Sequence, residues 1–579
     1  MKTEIIYPGA PVGAQFPRHV GVRSRADIAI PKRHFRWRAH RASTDNRPTI
    51  PNPRSLRGAE AAAQKPRLRP MDLVRAWRPH PPGVLMTLLI AAFAMRLVHL
   101  DAQSLWWDEM VTVFRSASPP SLMWADILRA RNQVPLYYVL MRPWATLGQR
   151  AFWVRYISVW WGMVEIALTY RLGTRLANQS VGTLAAGLLS ALPTHVWYSQ
   201  EARAYTLLGA LAVLSYLQLL RLARRPRDGW GWLGYGATLT AILYTHYFGA
   251  FLLLAQAIPL LLQWRRNRPL FLRWAVTAGL VGLAFLPWLA IMLRTGGFRQ
   301  APIDWIADAH WYDPLLTFYT FGLGSTADPA RWWNWLAALA LLVSFGWGAR
   351  RLLRQAGSAL VSQTVLCWAG VPLFLMWILS VNLPGLPQRR SIYMDRYITW
   401  LLPPFALLVA WGWQRWRRRH GSAWIAALPV LACLALSLGA LYVDPRHARE
   451  DWRSAVASLN QLATHDAVLV SDPVQRLPLW YYPPSEELTV VEAPQGPPEG
   501  NVNEWLGIPA PIPELWLITW RDNTNPHGFP AQRNQALAGG ATFDQRKNWL
   551  DTHYHVAQRL SFPGIILSCY RQAGTAHDG

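Results

Sequence analysis

Two acidic side chains follow two indoles where the first long apolar run of the sequence ends, in the stretch Leu105-Trp106-Trp107-Asp108-Glu109. Tryptophan favours the boundary between water and lipid, because its ring is apolar while its N–H needs a polar partner. Carboxylates are costly in hydrocarbon, so these two must face water, a partner or a substrate. A carboxylate at such a boundary can serve as a general base, although Asp108 and Glu109 could also simply begin a solvated loop.

Three further groups of polar residues stand near the ends of later apolar runs. They are His195, Tyr198, Gln200, Glu201, Arg203 and Tyr205; then His246 and Tyr247; and last Asp395, Arg396 and Tyr397. Each group also has an ordinary explanation. The histidines and tyrosines could belong to the membrane interface, Glu201 and Arg203 could form a local ion pair, and Asp395 and Arg396 could extend outward from a helix end.

The elements that must position these residues are membrane helices. Of the 579 residues 52% are hydrophobic and 16% charged, whereas a soluble protein carries about a quarter charged residues. Apolar runs of roughly the 20 residues that cross a bilayer predict an α-helical polytopic membrane protein with about eleven spans. The runs lie roughly at 83–100, 154–172, 180–197, 204–222, 230–247, 248–264, 270–293, 332–349, 360–381, 397–414 and 423–443.

The arginines of the short loops orient these spans. A net charge of +26 would indicate a nucleic-acid partner in a soluble protein, but the positive-inside rule explains much of it here. With the N-terminus inside, the inner loops hold Arg171 and Arg175; Arg221, Arg224, Arg225 and Arg227; Arg265, Arg266 and Arg268; Arg350, Arg351 and Arg354; and Arg415, Arg417, Arg418 and Arg419. All four polar groups then share the outer face, and that coincidence makes them candidates for function.

Composition divides the chain into three parts. Residues 1–80 are rich in Arg and Pro, and the first 70 hold 15 basic and four acidic residues, so we expect a disordered segment. Residues 81–443 form the predicted transmembrane domain. Residues 444–579 change texture to one helix and several strand-like runs, which predicts a small extracytoplasmic α/β domain.

Other kinds of site find little support. The sequence has no P-loop, no HExxH and no GxSxG, and its three cysteines form no metal pattern. Asp304, Asp308, His310 and Asp313 could bind a divalent metal, but their spacing fits no template, so no cofactor is predicted. The loop around them, roughly 294–331, is more simply interpreted as a cover over the site.

A known family shows the same short motifs in the same order. They are Leu105–Glu109, Pro135-Leu136-Tyr137-Tyr138, Gly148, Arg155, Pro193, the run Tyr198–Tyr205, Arg396-Tyr397 followed by Pro403, and Glu450-Asp451-Trp452-Arg453. Together they resemble the membrane glycosyltransferases of the GT-C superfamily, in particular the protein O-mannosyltransferase-like and aminoarabinose-transferase-like enzymes of glycosyltransferase family 39. The resemblance covers roughly residues 84–470.

The resemblance implies a reaction. A polyprenyl-phosphate-linked sugar enters from the membrane, and an acceptor, either a protein, a lipid or a cell-envelope glycan, arrives from the outer side. An aspartate of the first outer loop, here Asp108, takes the proton of the acceptor hydroxyl, and the sugar is transferred with inversion. Glu109 would orient the acceptor or the sugar, and Arg203 and Arg396 would hold the phosphate.

The remaining residues of the four groups become candidate substrate-binding residues, with Tyr198 and Tyr397 as hydrogen-bond donors to the phosphate. Arg155 is a weaker candidate for the phosphate, because it could simply begin the second span. The lysine that serves the phosphate in some relatives has no match in this sequence. The resemblance also implies an integral protein of a bacterial plasma membrane, with its active site facing outside.

Two rival classes of function stay open. A transporter or lipid flippase would also need many spans and charged residues at depth, but it favours internal repeats with interrupted helices, and the sequence shows no such repeat. A sensor or scaffold would use the C-terminal domain to bind a ligand, and it would leave the carboxylates near the first span without a role.

Overall fold

The computed structural model describes residues 81–130, 133–294, 306, 308–354, 359–382, 390–419, 423–494, 496, 500–509, 511–520 and 540–571. The predicted disordered segment 1–80 and the candidate metal ligand Asp304 lie outside these residues. All contacts given below lie within residues 85–579, which belong to one compact unit.

Helices dominate the chain as far as residue 443. They are α1 (Pro81–Leu97), α2 (Trp107–Ala117), α3 (Pro120–Ala130), α4 (Leu136–Ala145), α5 (Ala151–Leu176), α6 (Gln179–Ala191), α7 (Pro193–Ser199), α8 (Tyr205–Arg224), α9 (Gly229–Thr245), α10 (Gly249–Leu262), α11 (Trp264–Arg294), α12 (Asp313–Leu323), α13 (Trp332–Leu353), α14 (Ala359–Ser380), α15 (Leu402–Arg419) and α16 (Ala423–Val443). A 3₁₀ helix, Asp395–Leu401, precedes α15.

Four helices in the described part of the chain are long and apolar enough to cross a membrane: Tyr205–Arg224, Trp264–Arg294, Trp332–Leu353 and Leu360–Ser380. The predicted helical membrane architecture is thus confirmed in outline, while the number of about eleven spans stays a prediction. Helix α5 falls outside the four although it has 26 residues, and it buries the charged side chains of Arg155 and Glu165. Helix α9 has 17 residues, about 25 Å of helix, which is short for a bilayer core.

Glycines allow α13 and α15 to pack closely. A Cβ atom on Gly348 of α13 would clash with the carbonyl oxygen of Leu408, and one on Gly412 of α15 would clash with that of Ser344. Only residues without a side chain permit backbones to approach this closely, which is the usual way helices associate in lipid.

The helices α2, α3 and α4 lie between α1 and α5 in the sequence and share a hydrophobic core with the C-terminal part. That core joins Met110 and Phe114 of α2 to Trp452, Leu477 and Ile518. The Phe114 and Trp480 rings meet edge to face, with centroids 5.5 Å apart. Helix α2 therefore packs against the C-terminal part of the chain.

After α16 the chain forms α17 (Trp452–Leu462), α18 (Arg476–Tyr481), α19 (Val502–Leu506), α20 (Gly540–His553) and a five-stranded sheet. Its strands are β1 (Val468–Ser471), β2 (Thr489–Glu492), β3 (Leu515–Trp520), β4 (His555–Phe562) and β5 (Ile565–Arg571), in the order β2-β1-β3-β5-β4. Strand β1 pairs in parallel with β2 and β3, and β5 pairs antiparallel with β3 and β4. Strand β4 is an edge strand with mostly exposed side chains, and it lacks the apolar run that predicts the other four.

Candidate active site

Asp108 lies in the first turn of α2, between two arginines from distant parts of the chain. Its Oδ2 is 3.7 Å from Nη2 of Arg203 and 3.7 Å from Nη1 of Arg396. These distances exceed a direct hydrogen bond. The side chains of Asp108, Arg203 and Arg396 are 18%, 10% and 17% exposed, so each keeps some contact with solvent. The helix N-terminus adds positive potential at the same carboxylate.

Aromatic rings surround these charges. The Arg396 guanidinium lies 5.8 Å from the Trp106 ring centroid and 5.4 Å from that of Tyr397. The Tyr397 ring is 5.4 Å from His246, measured between centroids. Asp395 accepts the backbone N–H of Arg396 at 3.0 Å and so fixes the start of the 3₁₀ helix that presents the guanidinium.

Tyr198 and Tyr205 form a second aromatic contact, with centroids 5.0 Å apart. Tyr205 is 4% exposed, and its hydroxyl has no hydrogen-bond partner among the residues that the structure describes. A buried hydroxyl without a partner is costly, so this group is suited to donate to a bound ligand.

Glu109 is arranged quite differently from its neighbour. It is fully buried, and its carboxylate accepts two hydrogen bonds from Arg155, at 2.8 and 2.7 Å, and one from the backbone N–H of Ala202 at 2.9 Å. Burial acts to raise the pKa of Glu109, but Arg155 and Arg449 outweigh it and the pKa is lowered. Glu109 thus joins α2 to α5 and to the loop before α8, and its predicted role in orienting the acceptor or the sugar stays a prediction.

Arg155 is the hub of this buried cluster. Besides Glu109, it donates to the carbonyl oxygens of Leu100, Gln103 and Ser104 at 2.8–3.0 Å. The guanidinium is consumed by these bonds within the protein, so it is not placed to hold a phosphate. An arginine inside an apolar run always requires a partner at depth, and that signal was available in the sequence.

Glu201 and Arg449 also belong to this buried cluster, which comprises Glu109, Arg155, Glu201 and Arg449. Glu201 is 1% exposed, its Oε2 is 3.9 Å from Nη2 of Arg449, and its Oε1 has no hydrogen-bond partner within the described chain. Burial, opposed by Arg449 and reinforced by Glu109, raises the pKa of Glu201 to about 7. The local ion pair between Glu201 and Arg203 does not form, because Arg203 turns to Asp108 instead.

Three predicted site residues bind neighbouring helices. His195 is 2% exposed and contacts Arg96 at 2.7 Å and Glu165 at 3.3 Å, so it belongs to a separate buried cluster. Gln200 donates to the carbonyl oxygens of Arg96 and Val98 at 3.0 and 2.7 Å.

Tyr247 is the third of these residues. Its hydroxyl donates to the Gln133 carbonyl at 3.0 Å and accepts the Trp288 indole N–H at 3.0 Å. Sequence position places His195, Gln200 and Tyr247 at the same helix ends as Asp108 and Arg396, but the direction of each side chain decides whether it reaches the site.

The candidate metal ligands do not gather in the described residues. His310 Nδ1 is 4.0 Å from Asp313 Oδ2, and no group of three His, Cys, Asp or Glu side chains suited to a metal occurs there.

Comparison with known proteins agrees with this architecture. Residues 132–291 match the profile of the family described as dolichyl-phosphate-mannose-protein mannosyltransferase. The structure is similar to that of ArnT from Cupriavidus metallidurans bound to undecaprenyl phosphate, with a TM-score of 0.51 and 12% identity over 84% of this chain and 97% of that one. The apo form of the same protein gives a TM-score of 0.51 and 12% identity over 84% and 98%. No curated protein sequence matches this chain significantly. The family match and the shared fold confirm the predicted resemblance to GT-C membrane glycosyltransferases.

Proposed function

We propose that this protein is a membrane glycosyltransferase that moves a sugar from a polyprenyl-phosphate donor to a hydroxyl group of a protein, a lipid or a cell-envelope glycan. The observation that carries the proposal is the accessible carboxylate of Asp108 between Arg203 and Arg396, each 3.7 Å away. The fold that holds this group is shared with a protein that was solved with undecaprenyl phosphate.

In the proposed reaction Asp108 accepts the proton of the acceptor hydroxyl. The hydroxyl oxygen attacks the anomeric carbon of the sugar, and the bond between that carbon and the phosphate oxygen breaks. The electron pair leaves with the polyprenyl phosphate, so negative charge grows on the phosphate. A single displacement of this kind inverts the configuration of the sugar.

Arg203 and Arg396 suit the growing charge. A guanidinium offers paired N–H donors that match phosphate oxygens. Both cations stand 3.7 Å from Asp108, beyond hydrogen-bond distance, so a phosphate can approach them without first breaking a direct hydrogen bond to that carboxylate. The ring of Tyr397 lies 5.4 Å from the Arg396 guanidinium, and Tyr198 packs against Tyr205.

We further propose that residues 81–443 form the membrane domain, that residues 444–579 form an extracytoplasmic α/β domain packed against it, and that the site faces the outside of a bacterial plasma membrane. The arginines of the predicted inner loops support this orientation.

The test is to incubate purified protein in lipid nanodiscs with a panel of polyprenyl-phosphate sugars and candidate acceptors, and to analyse the products by mass spectrometry. We expect one donor to be consumed and a glycosidic product with inverted configuration to form. Transport of a lipid-linked sugar across proteoliposomes without any glycosidic product would instead favour a flippase.

A further inference from the structure

The segment that follows the last apolar helix reaches back to the start of the chain. Arg449, Glu450 and Trp452 are 7%, 1% and 0% exposed, although they lie between α16 and the sheet, where a linker would be expected. The motif Glu450-Asp451-Trp452-Arg453 is part of the family resemblance, and the proposed reaction gives it no role.

Arg449 is the residue of this segment that reaches Glu109 and Glu201. Its Nη1 donates to the carbonyl oxygen of Gln200 at 3.0 Å and lies 3.4 Å from both carboxylate oxygens of Glu109. Its Nη2 is 3.9 Å from Glu201, and the guanidinium packs over the Trp197 ring at 4.7 Å. One side chain therefore joins the start of α2 to the loop that carries Arg203.

Neighbouring residues hold the first loop along its length. The backbone N–H of Arg449 donates to Gln103 Oε1 at 3.1 Å, and the Ser104 hydroxyl donates to the Glu450 carbonyl. Arg453 donates to the Asp101 carbonyl at 3.2 Å. The Leu105 N–H also donates to the Tyr482 hydroxyl at 2.9 Å. Four residues of the C-terminal part, all distant in sequence from the first loop, therefore bind it.

We propose that Arg449 is a positioning residue for the transfer reaction, and that the C-terminal part is an obligatory component of the catalytic unit. The inference rests on the proposed function. Arg449 has no contact with Asp108 among the described ion pairs and acts through Glu109 and Glu201, which flank Asp108 and Arg203 in the sequence.

Charge explains why this position requires a guanidinium. Glu109 and Glu201 are both buried, and Arg155 bonds only the first of them within the described residues. Without Arg449 the carboxyl of Glu201 loses its paired cation, so it either stays buried without a counter-charge or takes up a proton. Either change removes the charged contact that joins Glu201 to Glu109. Lysine would restore one charge, but it cannot span Gln200, Glu109 and Glu201 together.

The test compares Arg449→Met with Arg446→Met in the full-length protein. Arg446 is a matched control, because it lies three residues earlier, is 65% exposed and pairs with Asp444. We expect Arg449→Met to lower kcat by about 10²-fold, since misplacing reacting groups by about 1 Å costs that much. The KM for the donor lipid should change less than about threefold, because Arg203 and Arg396 remain. Arg449→Lys should recover part of kcat.

Hydrogen exchange separates this inference from the proposed function. We expect the backbone amides of residues 100–110 to exchange faster in Arg449→Met than in the wild type. In Arg446→Met we expect the same exchange rates as in the wild type. Neither measurement needs a donor sugar. If the wild-type protein transfers no sugar, the proposed function fails while the exchange result still tests the positioning role.

Wild-type kcat and wild-type exchange in Arg449→Met would overturn the inference. A purely structural role would lower the melting temperature but leave the kcat of the folded fraction unchanged, which would also overturn it. If Arg449→Met does not fold, Ser104→Ala removes one bond to the same segment and Arg449→Lys keeps the charge. Both must then show a loss of kcat, and wild-type kcat in either of them would contradict the proposal.

Discussion

Asp108 and Glu109 are neighbours in the sequence with the same charge, yet their surroundings are opposite. Asp108 is 18% exposed and stands 3.7 Å from each of two arginines, whereas Glu109 is fully buried and bonded to Arg155 at 2.7 and 2.8 Å. Successive residues of a helix point about 100° apart, so one side chain stays partly exposed and the other faces the protein interior. A carboxylate that must react keeps free acceptor positions, and a carboxylate that must hold a helix fills them.

The comparison predicts a difference in stability first. Glu109→Gln leaves Arg155 buried and poorly paired, so we expect the free energy of unfolding to fall by about 3–5 kcal/mol. Asp108→Asn removes a partly exposed and loose pair, for which we expect less than about 1 kcal/mol. Thermal unfolding in the same detergent measures both. Equal melting temperatures for the two variants would erase the proposed distinction.

The two arginines beside Asp108 provide the next test. Arg203→Lys and Arg396→Lys keep the charge but lose the paired donors, so we expect the transfer rate to fall by about 10²-fold. Neither change should lower the melting temperature by more than a few degrees. Arg446→Lys, at an exposed position, is the control. Full activity of both site variants would show that the phosphate is held elsewhere.

The buried cluster around Glu109 and Glu201 also predicts that the stability of the protein depends on pH. The pKa of Glu201 is raised to about 7, so the folded protein keeps a proton that the unfolded chain releases above its ordinary pKa of about 4.5. Stability from this group is therefore present at low pH and is lost as pH rises from about 4.5 to about 7, by an amount on the order of 3 kcal/mol. Arg449, Glu109, Arg396 and Asp108 surround the carboxyl, and all of them remain in Glu201→Gln.

The Glu201→Gln variant isolates this effect, because the amide resembles the protonated carboxyl and does not titrate. The melting temperature of the wild type should therefore fall relative to that of Glu201→Gln as pH rises through that window. A difference that stays constant between pH 4.5 and 7.5 would contradict the raised pKa.

The sequence predicts the group of Asp108, Arg203 and Arg396 better than it predicts the buried cluster around Glu109. Long apolar runs determine where helices form, and the arginine pattern places Asp108, Arg203 and Arg396 on one face, where the structure brings them together. Their catalytic roles stay predictions. The burial of Glu109 depends on the direction in which α2 packs, and no local pattern reports that direction.

The contribution of Arg449 was equally hidden, because its partners are 248 or more residues earlier in the chain. Contacts of this range arise when the C-terminal part packs on the first loop, and charge alone does not reveal them. His195, Gln200 and Tyr247 show the converse case, and their predicted roles in substrate binding stay predictions. They stand at the expected helix ends but turn toward buried partners, since each polar group there must be satisfied within the protein.

The most direct test of the central claim is a single-turnover assay of Asp108→Asn with the donor lipid that the wild-type protein consumes. Asparagine keeps the shape of the side chain but accepts no proton, so we expect the protein to fold, to bind the donor, and to form product about 10²–10⁴-fold more slowly. Product formation at the wild-type rate would contradict the account, because it would show that the carboxylate between the two arginines is not the base.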